Sequence, residues 1–364
     1  MVAQAARSAQ PDLIFLEPIV KHELGQSSHI THTAAPRITD LTGAGDVVRR
    51  LQTRLTRSVI GRDGVIESIV IALLADGHVL LEDYPGSGKT TLAKALGDCL
   101  IDDTPDNDIV TLRRIQFTPD LLPGDVTGTT IFDPNANVFT FRPGPLFAHI
   151  VLADEINRTS PKVQSALLEA MAEKQTTVDN LTRKLDPLFF VIATQNPLDL
   201  AGTFPLPAAQ LDRFLFKIKM THISRAAELD LLTRLAEIKA GPGDSLPRVT
   251  RTEILDARAV VEREVFIAPA IRECLVDIAD ETRRSEATLQ GVSTRSLVLM
   301  MPALQARALV RGRSYVSADD VEALSPLIFS HRLMVAPGAG LIEEVVARCC
   351  RRPLEKLARA SLKR

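Results

Sequence analysis

From Val47 onward the apolar residues recur every three or four positions, first in VVRRLQTRLTRSVI and again in VIESIVIALLAD, with Ile60-Gly61-Arg62 between the two runs. That period predicts two amphipathic helices separated by a turn. A different pattern follows. His78-Val79-Leu80-Leu81 is a short unbroken apolar run that a glycine-rich stretch cuts off, and TTLAKALGDCL then resumes helical spacing. The order is strand, loop, helix. Further buried-strand candidates lie at Arg114 to Phe117, Ile150 to Ala153, Phe189 to Ala193 and Phe214 to Met220. Strands that are apolar throughout and alternate with helices predict a mainly parallel sheet covered on both faces, with ligands bound at its carboxyl edge. Two insertions interrupt the alternation. TTIFDPNANVFTFRP has strand-like halves around Asp133 to Asn137, and Gln175 to Leu188 carries Asp179-Asn180 near its centre, so each predicts a hairpin.

Beyond Met220 the strand signals fade, and AGPGDSLP reads as a linker. Thr250 with Glu253, and Ser317 with Asp320, have capping-box spacing ahead of helical runs. The expected organisation is a mobile tail over 1–42, an α/β core over 43–238, a linker over 239–247, a helical domain over 248–335 and a basic C-terminal tail over 336–364. Composition narrows the picture further. The 364 residues are 45% hydrophobic, enough to bury a substantial core, and the formal charge of −2 gives no field that would gather nucleic acid or anionic lipid. Four cysteines, two isolated and two adjacent as Cys349-Cys350, make neither a disulfide framework nor a spaced zinc site. Leu13 to Val20, interrupted by Glu17, is too short for a signal segment or a membrane span. The chain is therefore expected in the cytoplasm.

The chemistry starts at EDYPGSGKT. Its ending matches the phosphate-binding pattern G-x-x-x-x-G-K-[ST], but Asp83 stands where the first glycine belongs. Pro85, Gly86, Ser87, Gly88, Lys89, Thr90 and Thr91 supply a backbone able to point N–H groups inward and a helix N-terminus behind it. Lys89 would contact the outer phosphates, and Thr90 would place its hydroxyl on magnesium. Aspartate tolerates the left-handed backbone that such a turn uses, so Asp83 is expected to face away from the phosphates. In HIVLADEINR, Asp154 and Glu155 end a buried strand, where paired acids need a cation and water. Asp154 would hold magnesium through water, and Glu155 would orient and deprotonate the attacking water. Asn196, at the tip of ATQN, can position the same water. Plainer readings are a helix cap for the two acids and, for Arg213, an ion pair with Asp212 or another acid.

Taken together, GSGKT, LADEINR, IATQNP, LDRF and GVSTR resemble the AAA+ ATPases, and specifically the MoxR family. QFTPDLLPGDVTGT, the hairpin and FRPGPLF are similar to that family's helix-2 insert, and QNPLDLAGTFPLPAAQLDRF to its region around the arginine finger. The resemblance implies an AAA+ P-loop NTPase core, with helix-2 insert and pre-sensor-1 hairpins, followed by a smaller α-helical lid. It also implies a homo-oligomeric ring, usually a hexamer, using ATP and Mg2+ at subunit interfaces. By the same resemblance Ile60 and Gly61 contact adenine, Asn196 is sensor 1, Arg213 is the arginine finger and Arg295 is sensor 2. Asp83 departs from the family's glycine, and Ala208 from the acid common before AQLDRF. The implied output is chaperone-like remodelling of a client protein, commonly with a partner bearing a von Willebrand factor A domain. A nucleic-acid motor would need basic hairpins, yet Thr129 to Thr140 contains no Lys or Arg. A non-hydrolysing scaffold would lack Glu155 or Arg213, and both are present.

Overall fold

The computed structural model describes residues 37–82, 86–104, 109–197, 202–240 and 246–361. Both leading helices form, as α1 (Leu41–Ser58) and α2 (Asp63–Leu74). Asp40 caps α1, its Oδ1 accepting from the Gly43 amide at 2.8 Å, so the helix begins two residues inside the expected tail. Among the described residues five strands form one parallel sheet: β1 (Val79–Glu82), β2 (Val110–Gln116), β3 (Ala148–Asp154), β4 (Phe190–Gln195) and β5 (Phe216–Lys219). Their spatial order is β5-β1-β4-β3-β2. Between them run α3 (Lys89–Cys99) and α4 (Pro161–Glu173).

Alternate residues of the central strands go to opposite faces, which explains the unbroken apolar runs. Leu81, Leu152 and Ile192 join the cluster formed with α1, α2 and α3, whereas Leu80, Val151 and Val191 join the one formed with α4. Each large side chain so buried is worth about 1.5–3 kcal/mol. Both hairpins form as well. The first pairs Gly128–Asp133 with Val138–Pro143, and the second pairs Gln175–Val178 with Leu181–Lys184. In the second, Asp179 and Asn180 have φ of 51° and 61°, the left-handed pair that a two-residue hairpin turn demands.

The longer helices that follow the sheet are α5 (Arg225–Thr233), α6 (Arg251–Glu264), α7 (Pro269–Arg284), α8 (Thr294–Val310), α9 (Ala318–Phe329) and α10 (Ile342–Ser361). Both capping boxes close. The Glu253 amide donates to Thr250 Oγ1 at 3.1 Å, and the Ser317 amide to Asp320 Oδ2 at 2.8 Å. The helices α6 to α10 share an apolar cluster with α1 and α2, and the seam carries an Arg50–Glu253 ion pair at 2.6 Å. One difference from the sequence reading concerns 336–364, where a tail was expected. Most of that segment is α10, which buries Val345, Val346, Cys349, Cys350 and Leu357 on one side. Those residues recur at helical spacing, and Arg348, Arg351, Arg352 and Lys356 are exposed on the other side.

Candidate active site

The phosphate loop is built by glycine backbones. Gly86 and Gly88 have φ of 89° and 94°, and a Cβ added to either would meet nothing within 4 Å. Glycine is therefore required there by dihedral angle and not by crowding. Gly88 is also the N-cap of α3, with no side-chain cap, and the helix ladder starts with the Leu92 amide on the Gly88 carbonyl, so the amides of Lys89, Thr90 and Thr91 lie ahead of it. Aimed outward with the helix dipole, they suit an anion. The Ser87 hydroxyl is buried without a hydrogen-bond partner among the described residues. These residues fit a polyphosphate. Asp83 and Pro85 lie outside the described residues, so the expected orientation of Asp83 is a matter for experiment.

The turn that would face the base is tied to this loop. Gly61 has φ of 69°, and a Cβ there would come within 2.6 Å of Ala227 Cβ on α5, so both backbone and packing exclude a side chain. Ile60 precedes it, half-buried. Arg62, 8% exposed, donates to the Thr221 carbonyl and, at 3.3 Å, to the Ser87 carbonyl. This connection between the turn and the phosphate loop has no signature in the local sequence.

Two strands from β1, β3 ends in the paired acids. Asp154 is buried and accepts from Thr194 Oγ1 and Arg114 Nη2, both at 2.7 Å. Glu155 has φ of 58°, a left-handed conformation that costs a non-glycine residue about 1–2 kcal/mol and turns its carboxylate off the strand line. Its amide donates to Thr194 Oγ1 at 2.9 Å. Its carboxylate pairs with Arg158 at 2.9 Å and accepts from Gln116 Nε2 at 3.1 Å. Asn196 follows β4, the strand between β1 and β3, which puts it between the loop and the acids. The helix-cap reading of the acids fails for Asp154, whose carboxylate goes to side chains. Sequence reasoning missed Thr194, Arg114, Gln116 and Arg158. Of these, only Arg158 had a local signal, three residues after Glu155.

Arg213 lies elsewhere. It follows the short helix Ala208–Leu211 and precedes β5, whose first residue, Phe216, pairs with Val79 at the start of β1. The four residues of β1 at ~3.3 Å each separate that register point from the beginning of the phosphate loop, so Arg213 and Lys89 occupy opposite edges of one sheet. Asp212 is taken by other partners, Arg332 Nε at 2.6 Å and Arg295 Nε at 3.3 Å. The Arg213 side chain has no hydrogen bond or ion pair among the described residues, so the plainer reading of it as a partner of Asp212 is wrong. Arg295, at the start of α8, is thus brought beside the Arg213 segment and away from Lys89.

Comparisons with known proteins agree with this geometry. Residues 78–216 match the ATPase family associated with various cellular activities (AAA), and residues 280–347 match the AAA lid domain. The uncharacterized protein YeaC of Bacillus subtilis is 45% identical over 298 residues, 81% of this chain and 90% of its own. Chaperone MoxR1 of Mycobacterium tuberculosis is 34% identical over 335 residues, covering 88% of this chain and 84% of its own. A crystal structure from Cytophaga hutchinsonii superposes with a TM-score of 0.73 at 31% identity, covering 88% of this chain and 95% of that one. With a glycine-built phosphate loop, paired acids on β3 and a helical lid in one chain, and with these relatives along most of its length, the protein belongs to the MoxR family of AAA+ ATPases.

Proposed function

We propose that the protein hydrolyses ATP in a homo-oligomeric ring and uses the cycle to remodel a client protein in the cytoplasm. The observation that carries the reading is the placement of Arg213, unpaired among the described residues and on the sheet edge opposite the phosphate loop and acid pair. An arginine so placed reaches the nucleotide of a neighbouring copy and not its own. Within a chain, the amides of Lys89 to Thr91 and the Lys89 ammonium would bind the phosphates, and Ile60-Gly61 the base. Thr90 and Asp154 would hold Mg2+, an ion that needs only one or two protein ligands beside phosphate and water. The metal supplies neutralisation of phosphate charge. Glu155 would take the proton of the attacking water, and Asn196 would orient that water. Arg158 and Gln116 hold the Glu155 carboxylate and would have to yield it during the cycle.

Remodelling is supported by the first hairpin. Phe132 and Phe139 pack, tilted, at 5.1 Å between centroids while 45% and 75% exposed, and residues 129–140 around them carry no Lys or Arg of the kind a nucleic-acid motor would use. The chaperone name of the mycobacterial relative points the same way. The family resemblance adds a partner with a von Willebrand factor A domain. The test is Mg2+-dependent ATP turnover with Glu155→Gln as the comparison. That variant should retain ATP, lose turnover by at least ~10²-fold and keep its client bound for identification. Loss of ATP binding equal to that of Lys89→Ala would remove Glu155 from the role of base.

A further inference from the structure

Residues 331–332 follow α9 and plug into the segment that carries Arg213. Arg332 has a side chain only 2% exposed, and its guanidinium donates on both sides of residue 213. Nε reaches Asp212 Oδ1 at 2.6 Å, and Nη2 reaches the Asp212 carbonyl at 3.1 Å and the Phe214 carbonyl at 2.7 Å. Nη1 reaches the Ile328 carbonyl at 2.6 Å, which anchors the guanidinium to its own helix. A buried guanidinium is costly unless nearly every donor is used, as here. The sheet does not do this work. Leu215 donates to the His78 carbonyl at 2.8 Å and Phe216 begins β5, so strand pairing fixes the chain only from 215 onward. Upstream, the side chain of Arg213 has no partner among the described residues to aim it, and its direction depends on the backbone at 212–214.

We infer that Arg332 is a positioning residue for the arginine finger: from the lid it fixes the Asp212–Phe214 backbone so that Arg213 projects toward the neighbouring subunit's nucleotide. The inference rests on the trans role proposed above for Arg213. It makes the lid of one subunit part of the machinery that serves the next subunit's ATP. Lysine cannot replace the planar fork that spans four acceptors. Displacing a transition-state contact by about 1 Å costs up to ~10²-fold in rate without loss of ground-state binding.

The experiment places Arg332→Lys on one side or the other of a mixed interface. Arg213→Ala and Lys89→Ala subunits are first mixed with verified exchange, so that active sites combine the loop of the former with the finger of the latter. Arg332→Lys added to the Lys89→Ala subunit, the finger donor, should lower the restored turnover ~10- to 100-fold with the KM for ATP unchanged. Added to the Arg213→Ala subunit, the loop donor, it should leave turnover unchanged. Loss on both sides, or none on the finger side, overturns the inference. If thermal unfolding shows that Arg332→Lys does not fold, Asp212→Asn in the same two placements decides by the same outcomes. A reference mixture that stays inactive overturns the trans reading and this inference with it. A working reference with a two-sided loss overturns this inference alone.

Discussion

The two edges of the β5-β1-β4-β3-β2 sheet are made in different ways. At the carboxyl edge the candidate residues sit on or just beyond strand ends, and the Asp154-Glu155 pair is held by side chains from the neighbouring strands and the turn after β3: Thr194, Arg114, Gln116 and Arg158. At the amino edge Arg213 has no side-chain partner among the described residues, while the residues flanking it are gripped by Arg332 and Arg295 from the lid. The first edge gathers amides and carboxylates suited to phosphate, and on the proposed reading to a metal. The second fixes the backbone on either side of one cation, Arg213. On the proposed role of Arg213 a single chain would hold two incomplete halves, and a second copy would complete either. That reading gives a physical reason for an ATPase of this kind to be an assembly.

Breaking one half at a time should separate them by what is lost. Arg213→Ala is expected to lower turnover by ~10³-fold while nucleotide affinity stays nearly unchanged, since a finger acts on charge that develops in the transition state. Lys89→Ala should abolish binding itself. Turnover measured beside nucleotide titration checks both, and a large affinity loss in Arg213→Ala would place that side chain in its own chain's pocket.

How much of this was legible beforehand differs by edge. The loop, the Asp154-Glu155 pair, both hairpins and both capping boxes are local patterns, each set by residues only a few positions apart, and the chain reads them out directly. Arg213 was legible only through family resemblance. Its grip was not legible at all, because Arg332 reaches Asp212 across 120 residues, as Arg114 reaches Asp154 across 40. No spacing rule encodes such a meeting, since it depends on how the lid docks. The α10 helix shows a different failure. Its net basic composition suggested a tail, whereas the periodic placement of Val345, Val346, Cys349 and Cys350 decides its burial.

A smaller effect sharpens the comparison by pH. Two buried histidines at the amino edge, His78 and His331, have lowered pKa values. His78 has Nδ1 accepting from the Val191 amide at 3.1 Å and Nε2 bonded to the Met171 carbonyl at 3.1 Å, so the neutral ring is satisfied and a second proton would face a donor. Burial lowers its pKa to about 4. His331, beside the Phe214 carbonyl, is lowered to about 3 by burial and then by Arg332. Unfolded, each titrates near 6.5, so the unfolded chain binds more protons below that pH. Their contribution is intact above pH 6.5 and declines as pH falls toward 4. From pH 7 to 5.5 each should lower stability by about 1 kcal/mol. Urea unfolding at the two pH values measures the slope, and His78→Gln should remove its share. A slope unaltered by that substitution contradicts the assignment.

The smallest expected change concerns the carboxyl edge. Asp83→Gly should leave hydrolysis intact and alter nucleotide affinity by no more than ~1 kcal/mol, because the carboxylate is expected to face away from the phosphates. A gain of ~100-fold in affinity would show instead that Asp83 restrains binding.

The claim that each chain holds two halves is tested most directly by mixing Arg213→Ala with Lys89→Ala subunits, each inactive alone, and measuring ATP turnover as oligomers exchange. The former keeps its phosphate loop and the latter its finger, so mixed interfaces that set Lys89 of one beside Arg213 of the other should hydrolyse ATP. Wild-type specific activity should also fall on dilution below the assembly concentration. A mixture that stays inactive despite verified exchange, together with wild-type activity that persists at monomeric concentrations, would contradict the account.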